Sequence, residues 1–219
     1  ALHFGWHPWQ LLQPVLGWPV ITVIINFFYN MWFFVMFFCL FLQGFGARNT
    51  VLRYQYLIAF LLAWFVAGSV LAIAFSSAGP CYYTRIGLSP DPYAPLMSYL
   101  WQANDVFPIW ALTAQDMLWQ AYSGEDSLVS GISAMPSLHV TVVMLQAFMG
   151  WRMNRWLGWL LTIYAGLILL GSVHLAWHYA VDGYLAIIVA CAIWWIAGRI
   201  AAWDLVTDRQ TAVAAADPR

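Results

Sequence analysis

The sequence predicts an all-α integral membrane protein, a polytopic bundle of five to six transmembrane helices. Hydrophobic residues make up 63% of the 219 residues and charged residues only 8%, which leaves too little polar surface to cover a soluble domain of this size. The apolar residues gather into runs of the length that crosses a bilayer. The chain has no lysine and its arginines are scattered, so no basic stripe indicates nucleic-acid binding.

Five apolar runs are the candidate membrane spans. They cover residues 15–42, 54–75, 136–150, 156–173 and 181–203. All but the third reach the roughly 17 to 25 residues of a transmembrane helix, and a tilt or an extension through Trp151 would let the third one cross. A sixth span, cut short near the amino terminus, would leave the orientation of the others unchanged.

The remaining residues form a large loop and a tail. Residues 76–133 are rich in proline, glycine, tyrosine and acids, and their aromatic stretch 93–122 can lie along the membrane interface. Residues 204–219 form a polar, alanine-rich tail. We therefore expect one transmembrane domain over residues 1–203, with an outer loop at about 76–133 that can cover a site.

The arginines predict the orientation of the spans. Three pairs follow the first, third and fifth spans: Arg48 with Arg53, Arg152 with Arg155, and Arg199 with Arg209. The loops at the opposite ends hold six acidic residues and one arginine, Arg85. By the positive-inside rule those loops face away from the cytoplasm.

Two short motifs place ionisable residues at the outer ends of spans. Residues 134–139 (AMPSLH) open the third span, and residues 178–182 (HYAVD) open the fifth. Ionisable groups beside membrane spans are costly and mark functional sites. A structural polar cluster that ties helices together is the alternative interpretation.

The first motif has the features of an anion site. Pro136 suits the first position of a helix, where its missing N–H costs nothing. The backbone N–H groups of Ser137, Leu138 and His139 would then point outward at the positive end of the helix dipole. Ser137 adds a hydroxyl donor. The motif therefore predicts phosphate binding.

The second motif has the features of an activated histidine. Asp182 follows His178 by four residues, so the two side chains can meet across one helical turn. The carboxylate can keep one imidazole nitrogen protonated and leave the other free as a nucleophile or base. A second histidine, His139, can then act as the general acid for the leaving group.

These two motifs resemble the second and third signature motifs of the type 2 phosphatidic acid phosphatase superfamily of integral membrane enzymes. The resemblance implies a phosphohistidine intermediate formed without a metal or other cofactor. It implies that His178 is the nucleophile, Asp182 its orienting partner and His139 the acid that protonates the leaving oxygen. The implied substrate is a lipid phosphate or phospholipid.

The chain departs from the phosphatases of that superfamily in its cations. Those enzymes usually carry a lysine and an arginine in a first motif, and an arginine six residues before the nucleophile, where this chain has Ser172. Residues 77–83 (SAGPCYY) instead resemble the Gly-Pro-aromatic loop of the branch that contains inositol phosphorylceramide synthase. Relatives of that branch move a phospho-headgroup from one lipid to another alcohol. A lipid phosphate monoester phosphatase is the alternative, although a dianionic phosphate calls for more positive charge.

Three further residues are candidates for substrate contact. Arg85 is the only cation of the outer loops, and Tyr82 lies in the Gly-Pro-aromatic loop. His174 precedes His178 by four residues, so on one continuous helix His174, His178 and Asp182 could bind zinc or iron. The chain must turn between the fourth and fifth spans, which favours a packing or substrate-contact role for His174.

Two other classes of function are compatible with the composition. A transporter would use the polar trio to bind an ion or proton, and a membrane scaffold would not need it at all. The trio lies at span ends rather than at the membrane midplane, and the sequence has no pair of broken helices. Both features favour an enzyme.

Overall fold

The computed structural model describes residues 5–46, 50–124 and 132–216, with side chains described up to Trp203. Every regular element in these ranges is helical, which confirms the predicted all-α class. Arg48 lies outside the described residues, as does the side chain of Arg209. The last helix continues through residue 216 and therefore includes the backbone of most of the predicted tail.

In chain order the helices are α1 (Pro8–Leu16), α2 (Pro19–Asn30), α3 (Trp32–Gly44), α4 (Val51–Leu62), α5 (Ala72–Ala74), α6 (Ala94–Val106), α7 (Trp110–Ser123), α8 (Leu138–Met153), α9 (Arg155–His174) and α10 (Ala180–Ala216). A π-helical segment, Ala63–Leu71, joins α4 to α5 without a break. A single 3₁₀ turn, Pro80–Tyr82, lies in the predicted outer loop.

Four helices in the described residues are long and apolar enough to cross a membrane: Pro19–Gly44, Val51–Ala74, Arg155–His174 and Ala180–Trp203. They correspond to the first, second, fourth and fifth predicted spans. The first of them combines α2 and α3, which meet at Met31. The third predicted span is α8, whose 16 residues extend only about 24 Å at a helical rise of 1.5 Å.

Helix α8 lies at the centre of the bundle. It packs against α3, α4, α9 and α10, and its buried residues lie on every side of the helix. Gly150 allows a close approach to α9, because an added Cβ would lie 2.9 Å from the Leu161 side chain and 3.1 Å from the Leu157 carbonyl oxygen. Neighbouring helices rather than lipid surround α8, so it need not match the bilayer thickness.

The predicted outer loop 76–133 contains two helices, α6 and α7. Neither has a continuous apolar run, which is why the sequence does not predict them, yet both are built largely from good helix formers such as Ala, Leu, Met and Gln. Asn104 links them, since its Oδ1 accepts from the Ile109 N–H at 2.9 Å. Buried residues on both helices, among them Leu100 and Leu112, pack onto the core.

The two ends of the bundle differ in charge. At one end the guanidinium of Arg53 donates to the carbonyl oxygens of Gly44 and Gly46, both at 2.7 Å, where a cation complements the carboxyl end of α3. The turn between α8 and α9, with Arg152 and Arg155, lies at this same end. The first turns of α8 and α10 meet at the opposite end.

Candidate active site

Three chain segments converge where α8 and α10 begin. The Ala134 N–H donates to the Ser77 carbonyl at 2.7 Å, and the Cys81 N–H donates to the Ala176 carbonyl at 3.1 Å. Gly79 makes this approach possible, because a Cβ at that position would overlap the carbonyl oxygen of Trp177. The Gly-Pro-aromatic loop, residues 77–83, therefore packs directly on the segment that carries His178.

The His178 ring is held by a backbone carbonyl. Its Nδ1 lies 2.7 Å from the carbonyl oxygen of Ala134. A carbonyl oxygen can only accept, so Nδ1 carries the proton and Nε2 keeps a free lone pair. The ring lines a cavity at this end of the bundle. The Ala134 carbonyl thus fixes the orientation of the His178 ring at the cavity wall.

Asp182 lies beside His178 without making the orienting hydrogen bond that the sequence predicts. Its Oδ2 is 3.7 Å from His178 Nδ1 and accepts from the Tyr179 N–H at 2.9 Å. The carboxylate is 1% exposed. Asp182 therefore caps the first turn of α10 and places a negative charge next to the imidazole, while Ala134 fixes the ring orientation.

His139 faces the same cavity from the start of α8. Its ring stacks on Tyr29, with centroids 5.0 Å apart, and lies tilted against Trp32, with centroids 4.2 Å apart. The centroids of the His139 and His178 rings are 6.3 Å apart, which leaves room for a reacting group between them. The structure thus brings together the two histidines that the sequence singles out.

Helix α8 begins two residues later than the sequence predicts. Ser137 is its N-cap, and its side chain accepts from the Val140 N–H at 3.4 Å. Serine is a favoured N-cap because its oxygen satisfies an N–H of the first turn, so Pro136 lies outside the helix. The Ser137 N–H donates to the Asp182 carbonyl. The first helical N–H groups, those of Leu138 and His139, have no acceptor within the helix.

The cavity between the histidines has a volume of about 600 Å³. Leu138, Tyr82 and Trp177 contribute to its walls together with both histidines. Among the described residues that line it there is no arginine. Ser172, at the position where the phosphatases usually carry an arginine, is fully buried. The positive potential in the cavity therefore comes from the start of α8.

Arg85 does not line this cavity. Its guanidinium forms an ion pair with Asp116 on α7, and it lies 5.7 Å from the centroid of the Trp119 ring. Both charged side chains are more than one-third exposed. The structure therefore does not bring Arg85 to the histidines as the proposed phosphate contact.

Tyr82 and Gln115 connect the loops around the site. The Tyr82 hydroxyl donates to the Gln115 carbonyl at 3.0 Å, and Gln115 Nε2 donates to the Leu175 carbonyl at 2.9 Å. Tyr82 lines the cavity with its ring, since its hydroxyl is engaged elsewhere. Gln115 is a positioning residue that sequence reasoning misses, because a lone glutamine in a loop gives no motif.

His174 belongs to a separate polar cluster. Its Nε2 lies 2.9 Å from the Thr22 hydroxyl, which lies 2.6 Å from the Tyr99 hydroxyl. The residue is fully buried at the end of α9 and does not line the cavity. Within the described part of the chain, His174, His178 and Asp182 do not form a group that could hold a metal ion.

Neutral phenols surround Asp182 on its outer side. The Tyr93 and Tyr179 rings meet at 5.5 Å. Burial raises the pKa of Tyr93 to about 12 and also raises the pKa of Tyr179. Both phenols therefore stay protonated at neutral pH, and neither adds negative charge beside Asp182.

The chain is similar to one known protein family. A family model described as the PAP2 superfamily matches residues 1–196. The match includes both histidine motifs and nearly all of the helices that surround them. No curated protein and no solved structure matches the chain.

Proposed function

The chain belongs to the PAP2 superfamily, and we propose that it transfers a lipid-linked phosphoryl or phospho-headgroup group through a phosphohistidine on His178. Membership in the superfamily supports a phosphatase or phosphotransferase of lipid phosphates. The observation that carries the finer proposal is the pair of histidines on one cavity, with ring centroids 6.3 Å apart.

In the first step, Nε2 of His178 attacks phosphorus and the bond from phosphorus to the lipid oxygen breaks. His139 donates a proton to that departing oxygen from its imidazolium form, which the bound anionic phosphate favours over the neutral form. The negative charge of Asp182 stabilises the cationic phosphohistidine. The N–H groups at the start of α8 bind the phosphate oxygens.

In the second step, an acceptor oxygen attacks the phosphohistidine. His139, now neutral, takes the proton of the acceptor, and the N–P bond breaks with its electrons returning to His178. Water as acceptor gives hydrolysis, and an alcohol gives transfer.

The charge of the cavity favours transfer from a phosphodiester. No arginine is among its described lining residues, and Arg85 is paired with Asp116. A singly charged phosphodiester needs less positive charge than a dianionic monoester. This supports the branch that resembles inositol phosphorylceramide synthase, with phosphomonoester hydrolysis as the second candidate.

The cavity lies at the end of the bundle opposite to Arg53, Arg152 and Arg155. By the positive-inside rule this end is extracytoplasmic. The proposed enzyme therefore acts on lipids of the outer leaflet.

A donor screen with a trapping step tests the proposal. Purified protein in vesicles is given phosphatidic acid, phosphatidylcholine, phosphatidylglycerol or phosphatidylinositol, and both free phosphate and new lipid products are measured by mass. Phosphorus-labelled donor without an acceptor should leave label on the wild-type protein. His178→Asn should abolish turnover and labelling, because the Asn amide can still donate to the Ala134 carbonyl but has no nucleophilic nitrogen.

His7→Asn is the matched control, since His7 is the N-cap of α1, where asparagine is also favoured. It should retain turnover. A new phosphodiester supports transfer, whereas release of inorganic phosphate alone supports the phosphatase alternative. Full turnover in His178→Asn would refute the covalent mechanism, and turnover that a chelator abolishes would favour a metal enzyme.

A further inference from the structure

The wall of the catalytic cavity includes side chains from two of the helices that are long and apolar enough to cross a membrane. Besides the two histidines, Phe33 of α3 and Trp64 and Ile73 of the second span line the cavity. The exposed fractions of these three side chains are 53%, 40% and 79%. All three belong to helices that are long and apolar enough to cross a membrane. Lipid therefore has access to the cavity between α3 and the second span.

The wall on the second span is made by the π-helical segment Ala63–Leu71 and the short helix after it. Between Trp64 and Ile73, the residues of this segment that line the cavity are small: Ala67, Gly68 and Ala72. These three small residues line the same cavity as His139. A π-helix rises less per residue than the 1.5 Å of an α-helix, so the stretch from Trp64 to Ile73 extends less than about 15 Å, under half of the ~30 Å hydrocarbon core.

We propose that this π-helical wall is the binding surface for a hydrocarbon chain of the substrate, and that Gly68 and Trp64 determine which chains fit. The inference rests on the proposed function, because it requires a lipid substrate. The occupant is an acyl or alkyl chain that stays in the outer leaflet while its phosphate lies between His139 and His178. Continuity of the cavity from the histidines to the lipid-facing side chains of two spans supports this occupant.

Gly68 is the position where this wall can be altered with least damage. An added Cβ would lie 3.3 Å from Leu138 Cδ2, the flexible end of a side chain, and 3.9 Å from the Ala63 carbonyl oxygen. Gly68→Ala is therefore tolerated, whereas leucine or phenylalanine must extend into the cavity or displace Leu138. The series Ala, Leu, Phe should fill the chain-binding surface in graded steps.

The test compares dihexanoyl and dioleoyl forms of phosphatidic acid and phosphatidylglycerol, in mixed micelles, for the wild type and the Gly68 series. For dioleoyl donors, kcat/KM should fall by roughly tenfold or more in Gly68→Phe, the scale at which a filled apolar pocket discriminates between substrates. Dihexanoyl donors, whose chains end near the phosphate, should react about as in the wild type. Trp64→Ala in the Gly68→Phe background should restore part of the dioleoyl activity, because it returns volume to the same surface.

Gly166→Phe is the matched control. Gly166 lies on α9, no atom lies within 4 Å of an added Cβ, and the residue is not part of the cavity lining. This variant should keep the wild-type ratio of dioleoyl to dihexanoyl activity. An equal loss of both donors in Gly68→Phe, without rescue by Trp64→Ala, would overturn the inference and leave the proposed function intact. Absence of turnover with every donor in the wild type would overturn both.

Discussion

The orientation of His178 depends on the backbone of the other motif. Ala134, the first residue of that motif, accepts from Nδ1 at 2.7 Å, while Asp182 lies at 3.7 Å and caps α10. Every residue has a carbonyl group, so no side-chain pattern identifies this acceptor in advance. The motifs predict which ring reacts, but only the fold reveals what holds it.

Asp182→Asn separates the two roles of this carboxylate. Asparagine can still accept from the Tyr179 N–H, so the stability of the fold should be close to that of the wild type. The negative charge beside His178 is lost, and kcat should fall by roughly tenfold to a hundredfold, the effect of one opposite charge at this distance. Single-turnover rates and thermal unfolding midpoints measure the two effects.

Asp182→Ala is the comparison variant for this prediction. It removes the charge and the capping acceptor together, and should destabilise the protein by about 1 kcal/mol in addition to the kinetic loss. If Asp182→Asn turned over at the wild-type rate, the carboxylate would have a capping role alone.

At the level of helices and loops, the long apolar spans are predictable and the short amphipathic pieces are not. The four membrane-length helices are predicted by the length of their apolar runs. Helices α6 and α7 mix tryptophan, tyrosine and acids with helix formers, so their sequence gives no clear periodicity. The π-helical segment is equally hidden, because its composition is that of an ordinary apolar helix.

The position of Arg85 is a second feature that the sequence does not predict, because it depends on a contact between two separate elements. Its uniqueness in the outer loops makes it the natural phosphate ligand in the sequence. Its partner Asp116 lies 31 residues away on α7, and loop acids are too common for the pairing to be predicted. The ion pair joins the segment after the Gly-Pro-aromatic loop to α7. Gln115, also on α7, joins the segment before His178 to the same helix.

Arg85→Gln and Asp116→Asn should therefore have small and similar effects. A partly exposed ion pair contributes about 0 to 1 kcal/mol, so each variant should lower the unfolding midpoint slightly and leave KM near the wild-type value. The measurement is a donor titration of both single variants and the double variant. A rise in KM in Arg85→Gln that Asp116→Asn does not share would instead identify Arg85 as a phosphate contact.

Considered as a whole, the molecule is a bundle in which one short helix, α8, is enclosed by longer ones. This enclosure places His139 at the start of α8 against Tyr29 and Trp32 of the first span, although these residues are more than a hundred positions apart in the chain. Such distant packing cannot be read from the motifs. The sequence does predict, in contrast, that both histidines lie at the same end of the bundle, because the spans alternate in direction and the arginine pairs mark the other end.

The orientation of the bundle in the membrane can be tested by labelling a cysteine at each end. Ser89 is exposed in the loop that follows Tyr82, and Trp156 is exposed at the opposite end, beside Arg155. Ser89→Cys and Trp156→Cys are made in a protein whose three native cysteines are replaced by serine. If positive residues face the cytoplasm, a membrane-impermeant maleimide should label Ser89→Cys on intact cells.

Trp156→Cys should be labelled only after the cells are permeabilised. Labelling after permeabilisation shows that this cysteine is accessible, so that a lack of labelling in intact cells reflects sidedness rather than burial. Labelling of Trp156→Cys alone on intact cells would reverse the orientation and place the histidine cavity at the cytoplasmic leaflet. In that case the substrate would be a lipid of the inner leaflet, because the chain-binding wall between α3 and the second span opens into the same leaflet as the cavity.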